Sequence, residues 1–183
     1  MDTKEISSLS MEPWDEGTVL ATLFEIPIEE YPDFEYREAE FNLEPVYPET
    51  LDGKKIGTAA ILCTRFSDQG YEQKYCRNFV DLSEQAAGTG AQAKPRKVDC
   101  GCVKCRLETF GIDRIWRDDI LPCRTYLRHC VLSAQGLGDH AYNDFLDTTY
   151  LADRTTTIRQ HLSSNPDIME ELPPPALRER YCG

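Results

Sequence analysis

Cys100-Gly101-Cys102-Val103-Lys104-Cys105 sets three thiols within six residues, with Gly101 permitting a tight turn between the first two. Three thiolates at this spacing supply three corners of a tetrahedral zinc site, where sulfur sits about 2.3 Å from the metal. Lys104 and Arg106 lie beside them, and cationic neighbours favour the thiolate form that binds metal. The sequence therefore predicts a structural zinc of the Cys₄ or Cys₃His kind. Candidates for the fourth ligand are Cys123, His129, Cys130, Cys76 and Cys63. On a continuous helix Cys123 and Cys130 stand roughly 10 Å apart at about 1.5 Å per residue, too far to share an ion. Cys123 is the expected fourth ligand, with His129 second.

The run Cys100-x4-Cys105-x17-Cys123-x5-His129 resembles the zinc spacing of lentiviral infectivity factors, which act as ubiquitin-ligase adaptors. The likeness covers about 30 residues and lies in spacing alone. Those proteins are strongly basic and carry His at the first position, whereas this chain is acidic with Cys there. The resemblance implies adaptor use of a zinc-stapled fold, as in a viral-type accessory protein.

Other chemistries compete for the same residues. Eight cysteines in 183 residues also suit a secreted, disulfide-stabilised binding protein. An iron–sulfur cluster needs four-cysteine spacings that the chain does not carry. A zinc deaminase needs His-x-Glu ahead of its cysteines, but His129, His140 and His161 all follow them. His-Glu-x-x-His, the Walker loop and Gly-x-Ser-x-Gly are absent from the sequence. Asp139-His140, with Asn143, His161 and Asn165 downstream, resembles part of a ββα-metal nuclease, in which a His activates water beside a divalent ion. The order of these residues departs from the usual one, and a second Cys-x-x-Cys is missing. A cysteine nucleophile, Cys105 or Cys123 with His129, is a further alternative.

The elements that must position these groups follow from pattern. Residues 1–16 read as a flexible N-terminus. Residues 17–85 read as an acidic, β-rich region. Within it, residues 18–28 are apolar and β-branched, as a strand would be, and Pro27 places their end at a sheet edge. Residues 29–49 mix acids with Tyr31, Phe34, Tyr36 and Phe41. They form either an edge strand with a solvated acidic face or a segment that orders on a partner, and those four aromatics are the partner-binding candidates. Residues 54–66 and 71–82 look like a hairpin around Ser67-Asp68-Gln69-Gly70, which would set Cys63 opposite Cys76. Residues 86–97 read as a linker, and 98–166 as the cysteine knuckle plus helices. Cys123, Leu127, Cys130, Val131 and Ala134 share one helix face. Gly136 and Gly138 end that helix, and Asp139 opens a second one expected to run to about His161. Residues 167–183 form a proline-rich tail, expected to be extended.

Charge is unevenly spread. The net charge is −12. Residues 1–52 carry fifteen acids against Lys4 and Arg37, so the whole excess lies there. Phosphates would be repelled by such a segment, and a protein partner with a basic surface is the better match. Residues 94–128 reverse the balance, with nine bases and five acids. They suit an acidic partner, RNA or the chain's own acidic end, an ordinary solvated surface being the simplest reading. No stretch approaches about 18 apolar residues, and Met1-Asp2-Thr3-Lys4-Glu5 has no signal-peptide pattern, so a cytoplasmic or nuclear location without membrane contact is expected. The fold expected is α+β, a β-rich N-terminal part packed with a zinc-stapled helical part. The function expected is a non-enzymatic, zinc-binding regulatory or adaptor protein that recognises a macromolecular partner.

Overall fold

The computed structural model describes residues 3–15, 17–76 and 108–181. The chain is α+β. Its described elements are β1 (Glu5–Ser7), α1 (Tyr31–Arg37), β2 (Phe41–Val46), β3 (Ala60–Arg65), α2 (Asp68–Tyr71), β4 (Leu121–Pro122), α3 (Arg124–Gly136), α4 (Asp139–Thr148), α5 (Ile158–Ser164) and α6 (Arg178–Tyr181). They fall into two compact units. One joins residues 1–25 to 117–183, and the other holds 26–116. The Cys100–Cys105 knuckle and the 86–97 linker lie outside the described residues.

In the unit of residues 26–116, β2 and β3 pair antiparallel, from Phe41 opposite Arg65 to Val46 opposite Ala60. This replaces the expected hairpin over 54–82. Cys63 faces Leu43, not Cys76. The reason lies in Ser67, expected in a turn. Its Oγ accepts from the Gly70 amide at 2.9 Å, and its carbonyl accepts from the Tyr71 amide at 2.8 Å. Ser67 is thus the N-cap of α2, and the chain coils over 68–76, where the second strand was expected to begin; residues 77–82 of that expected strand lie outside the described residues. The new register also parts Arg65 from Lys74, which would have been like charges face to face. Lys74 reaches Glu35 at 3.5 Å instead. The core of this unit is aromatic. Phe41 packs edge-on to Trp116 with centroids 5.6 Å apart, and Phe66 edge-on to Tyr71 at 6.3 Å. Tyr71 is 1% exposed. Asp68 accepts from the Ile115 amide at 2.7 Å, tying α2 to the loop ahead of Trp116. Of residues 29–49, expected as an edge strand or a partner-ordered segment, Phe41–Val46 form strand β2, but the chain ahead of it holds a 3-10 turn over Ile28–Glu30 and then α1, with Pro32 in its first turn.

In the other unit, α3 follows Pro122 and buries Leu127, Val131 and Ala134, the i, i+4, i+7 face read from the sequence. These pack with Leu146, Ile158 and Ile168, flanked by Tyr142, Phe145, Leu151, Leu162 and Met169. Each fully buried aliphatic side chain contributes roughly 1.5–3 kcal/mol. Gly138, at φ +102°, makes the break before α4.

The second helix does not run to His161. It stops at Thr148. The Asp153 carboxylate then accepts from the Thr155 and Thr156 amides and the Thr156 hydroxyl. Such bonds compete with helix for the same backbone donors. Thr157 then opens α5 with a reciprocal pair. Its Oγ1 accepts from the Gln160 amide, and the Gln160 side chain accepts from the Thr157 amide.

Both chain ends are anchored in this unit. β1 pairs parallel with β4, and Glu12 holds Arg154 through two hydrogen bonds of 3.0 and 3.1 Å. Trp14 stacks on Tyr150. Residues 3–15 are therefore a bound strap, not the flexible lead-in expected. In the expected extended tail, 3-10 turns span Pro166–Glu170 and Pro175–Leu177, and α6 follows. Ile168, from this tail, is 1% exposed at the centre of the core.

Candidate functional site

Of the fourth-ligand candidates, Cys123, His129, Cys130 and Cys63 have described side chains. Cys123 is the N-cap of α3, half-buried, its Sγ 3.5 Å from the Thr125 hydroxyl. His129 lies one and a half turns into α3, with its ring edge-on to Tyr181 at 5.5 Å. Its Nδ1 is buried and has no hydrogen-bond partner among the described residues. A buried ring nitrogen without a partner is costly, and a neutral imidazole nitrogen in that state is a competent metal ligand.

Cys130 and Cys63 suit the role less well. Burial pushes the Cys130 thiol up, although the Tyr126 hydroxyl beside it acts in the opposite direction. Tyr126 itself is pushed up to about 12, first by burial and then by Cys130. Burial also raises Cys63, aided by the charges of Glu38 and Glu40. Thiols held protonated are poor ligands and poor nucleophiles. Among the described residues, no group of three or more His, Cys, Asp or Glu side chains is placed to hold a metal ion. Cys100, Cys102 and Cys105 lie outside them.

The residues of the nuclease alternative are engaged in the backbone. Asp139 and His140 form the first turn of α4. The Asn143 amide donates to the Asp139 carbonyl at 2.8 Å and accepts from Arg159. The Asn165 amide donates to the His161 carbonyl at 2.9 Å at the end of α5. Helices α4 and α5 occupy the residues that this chemistry would place on a hairpin.

The aromatic candidates divide. Tyr31 and Phe34 share one side of α1, with centroids 6.3 Å apart. Tyr36 is 83% exposed, whereas Phe41 is 8% exposed and packs in the core. Ile28, ahead of α1, is 81% exposed and flanked by Glu29 and Glu30. The sequence reading assigned residues 18–28 to a strand and so missed them as a surface. They contain no helix, strand, turn or bend before the 3-10 turn at Ile28, and they expose Val19, Leu23 and Phe24. The available signal was a mostly apolar run, Thr18–Phe24, between Glu16 and Glu25, with Pro27 shortly after it.

Charge organises the other unit. Arg124 gathers Glu5, Asp167 and Glu171 around one guanidinium. Glu5 comes from the acidic first 52 residues and Arg124 from the basic stretch 94–128, so this ion pair joins the two stretches. No helix among the described residues is long and apolar enough to cross a membrane. No family model, curated protein or solved structure matches this chain.

Proposed function

We propose that this chain is a non-enzymatic, zinc-binding adaptor or regulatory protein that recognises a protein partner with a basic surface. The observation that carries the recognition reading is the exposure of Ile28 and Tyr36 among Glu29, Glu30, Asp33 and Glu35. Large apolar side chains held in water within an acidic stretch fit an interaction surface, and the acids would speed encounter with a basic partner. The metal reading is supported by the thiol spacing at 100, 102 and 105 and by the unpartnered Nδ1 of His129. Cys100, Cys102 and Cys105 would supply thiolates, with Cys123 or His129 as the fourth ligand expected from the sequence. Zinc bound in this way adds its binding free energy to folding.

Metal analysis of the purified full chain tests this. One zinc per chain is expected, reduced to a small fraction by Cys102→Ser and lost to a strong chelator together with part of the folded signal. Metal-free protein whose cysteines resist alkylation until reduced would overturn it, in favour of the disulfide-stabilised binding protein.

A further inference from the structure

Residues 18–25 have the composition of a strand and no strand partner. Thr18, Val19, Thr22 and Phe24 favour extended backbone, and Leu20 and Leu23 add apolar bulk. No helix, strand, turn or bend is formed here. One amide is engaged: that of Leu20, which donates to Asp144 Oδ2 on α4 at 3.0 Å. Among the described residues, the amides of residues 21–25 meet no acceptor. Phe24 is 69% exposed, and Val19 and Leu23 are exposed as well. Free backbone donors and acceptors beside exposed apolar side chains make a template for another strand.

The free edge follows from alternation. In an extended chain successive residues direct their N–H and C=O groups to opposite sides. The Leu20 amide is taken by Asp144 of α4, so with the segment paired as a strand residues 19, 21, 23 and 25 would turn theirs away from α4. The next odd position is Pro27, which has no N–H and ends a ladder there. Charge selects the partner. Asp15 precedes the segment, and Glu25, Glu29, Glu30 and Asp33 end or follow it. A second copy would bring the same acids and be repelled, whereas a sheet edge bordered by Lys or Arg would be attracted.

We propose that residues 18–25 dock as an added strand, through the odd-numbered edge, on the open sheet edge of a protein partner whose rim is basic. This deepens the recognition reading above and rests on it for the existence of a partner, but it does not use the metal. The side chains of residues 19 and 23 on one face, and 20 and 24 on the other, would enter pockets beside that edge.

The test uses a fluorescent synthetic peptide of alternating Thr and Val with two lysines at each end, titrated into the full chain. Saturable binding is expected, with slowed hydrogen exchange at the amides of residues 19, 21, 23 and 25. Ala21→Pro or Leu23→Pro removes an odd-edge donor and weakens binding about tenfold. Thr22→Pro, on the even edge, leaves it within about twofold although it imposes the same local restriction. Raising salt from about 0.05 to 0.5 M weakens it. Absence of binding, equal losses in Ala21→Pro and Thr22→Pro, amides already protected in the free chain, or concentration-dependent self-association each overturn the proposal. Binding that persists in metal-stripped chain supports it even where the zinc reading fails.

Discussion

Single side chains decide several local outcomes. A Cβ on Gly70 would lie 2.5 Å from Phe66 Cε1 and 2.9 Å from Ser67 Oγ. The Phe66 ring is held edge-on to buried Tyr71, so it has little room to yield. Gly70→Ala is expected to lower the unfolding free energy by about 1–3 kcal/mol through overpacking, with a change in the near-UV signal of the aromatic cluster. Gly138 is a different case. Nothing lies within 4 Å of its missing Cβ, and only the φ of +102° resists a side chain. Gly138→Ala should cost about 1–3 kcal/mol of backbone strain and leave the Tyr71 environment unchanged. Chemical denaturation of both variants, read by near-UV circular dichroism, checks the pair; a wild-type midpoint for Gly70→Ala would contradict the capped α2. The cysteines show the same dependence on place. The sequence offers Cys63 and Cys130 as further candidates behind Cys123 and His129, and burial raises both of these thiols.

At the scale of elements, caps set the boundaries. The Thr157–Gln160 pair makes α5 begin where the sequence read a continuing helix. Thr157→Ala is expected to destabilise the chain by about 1 kcal/mol, and Thr157→Ser to restore most of it. Thermal unfolding distinguishes the two, and an Ala variant as stable as the parent would show that the cap contributes nothing. α3 was legible because its buried Leu127, Val131 and Ala134 repeat at helical spacing over about two turns, and nothing local competes with that pattern. The 54–82 hairpin was misread because Ser67-Asp68-Gln69-Gly70 satisfies turn and N-cap equally well in sequence. The choice fell to Asp68, which meets the Ile115 amide, and to Tyr71, which is buried. The Asp68 contact is remote from the tetrapeptide's own neighbours.

For the whole molecule, acidity and long-range ion pairs set the response to pH. Glu5, Asp167 and Glu171 surround Arg124, and His161 senses both Glu5 and Arg124. Burial lowers the His161 pKa from 6.5, Arg124 lowers it further and Glu5 opposes both. A base with a lowered folded pKa favours the fold while neutral. Its contribution is complete above about 6.5 and is lost as pH falls below that value. The carboxylates act in a lower window. Arg117 and Lys4 hold Asp119 far below its ordinary range, and hydrogen bonds from Thr156 and Thr155 hold Asp153 at about 2. Their contributions are lost only below the ordinary value near 3.8. The unfolding midpoint should therefore fall in two stages on acidification. His161→Gln should flatten the stage between pH 6.5 and about 5 and spare the lower one. A melting series across pH for the two proteins checks this, and an unchanged upper stage in the variant would remove His161 from the account.

Composition and periodicity by themselves determined the α+β character, the buried face of α3 and the segregation of acid into the first 52 residues. These depend on neighbours within a few positions, where hydrophobic spacing acts alone. Tertiary structure decided the rest. It paired β2 with β3 across a long loop, bound residues 3–15 to a helical unit more than 100 residues away in sequence, and put Ile168 of the proline-rich tail in the core. In each case the deciding free energy came from burial or charge pairing between distant residues, which no local window contains.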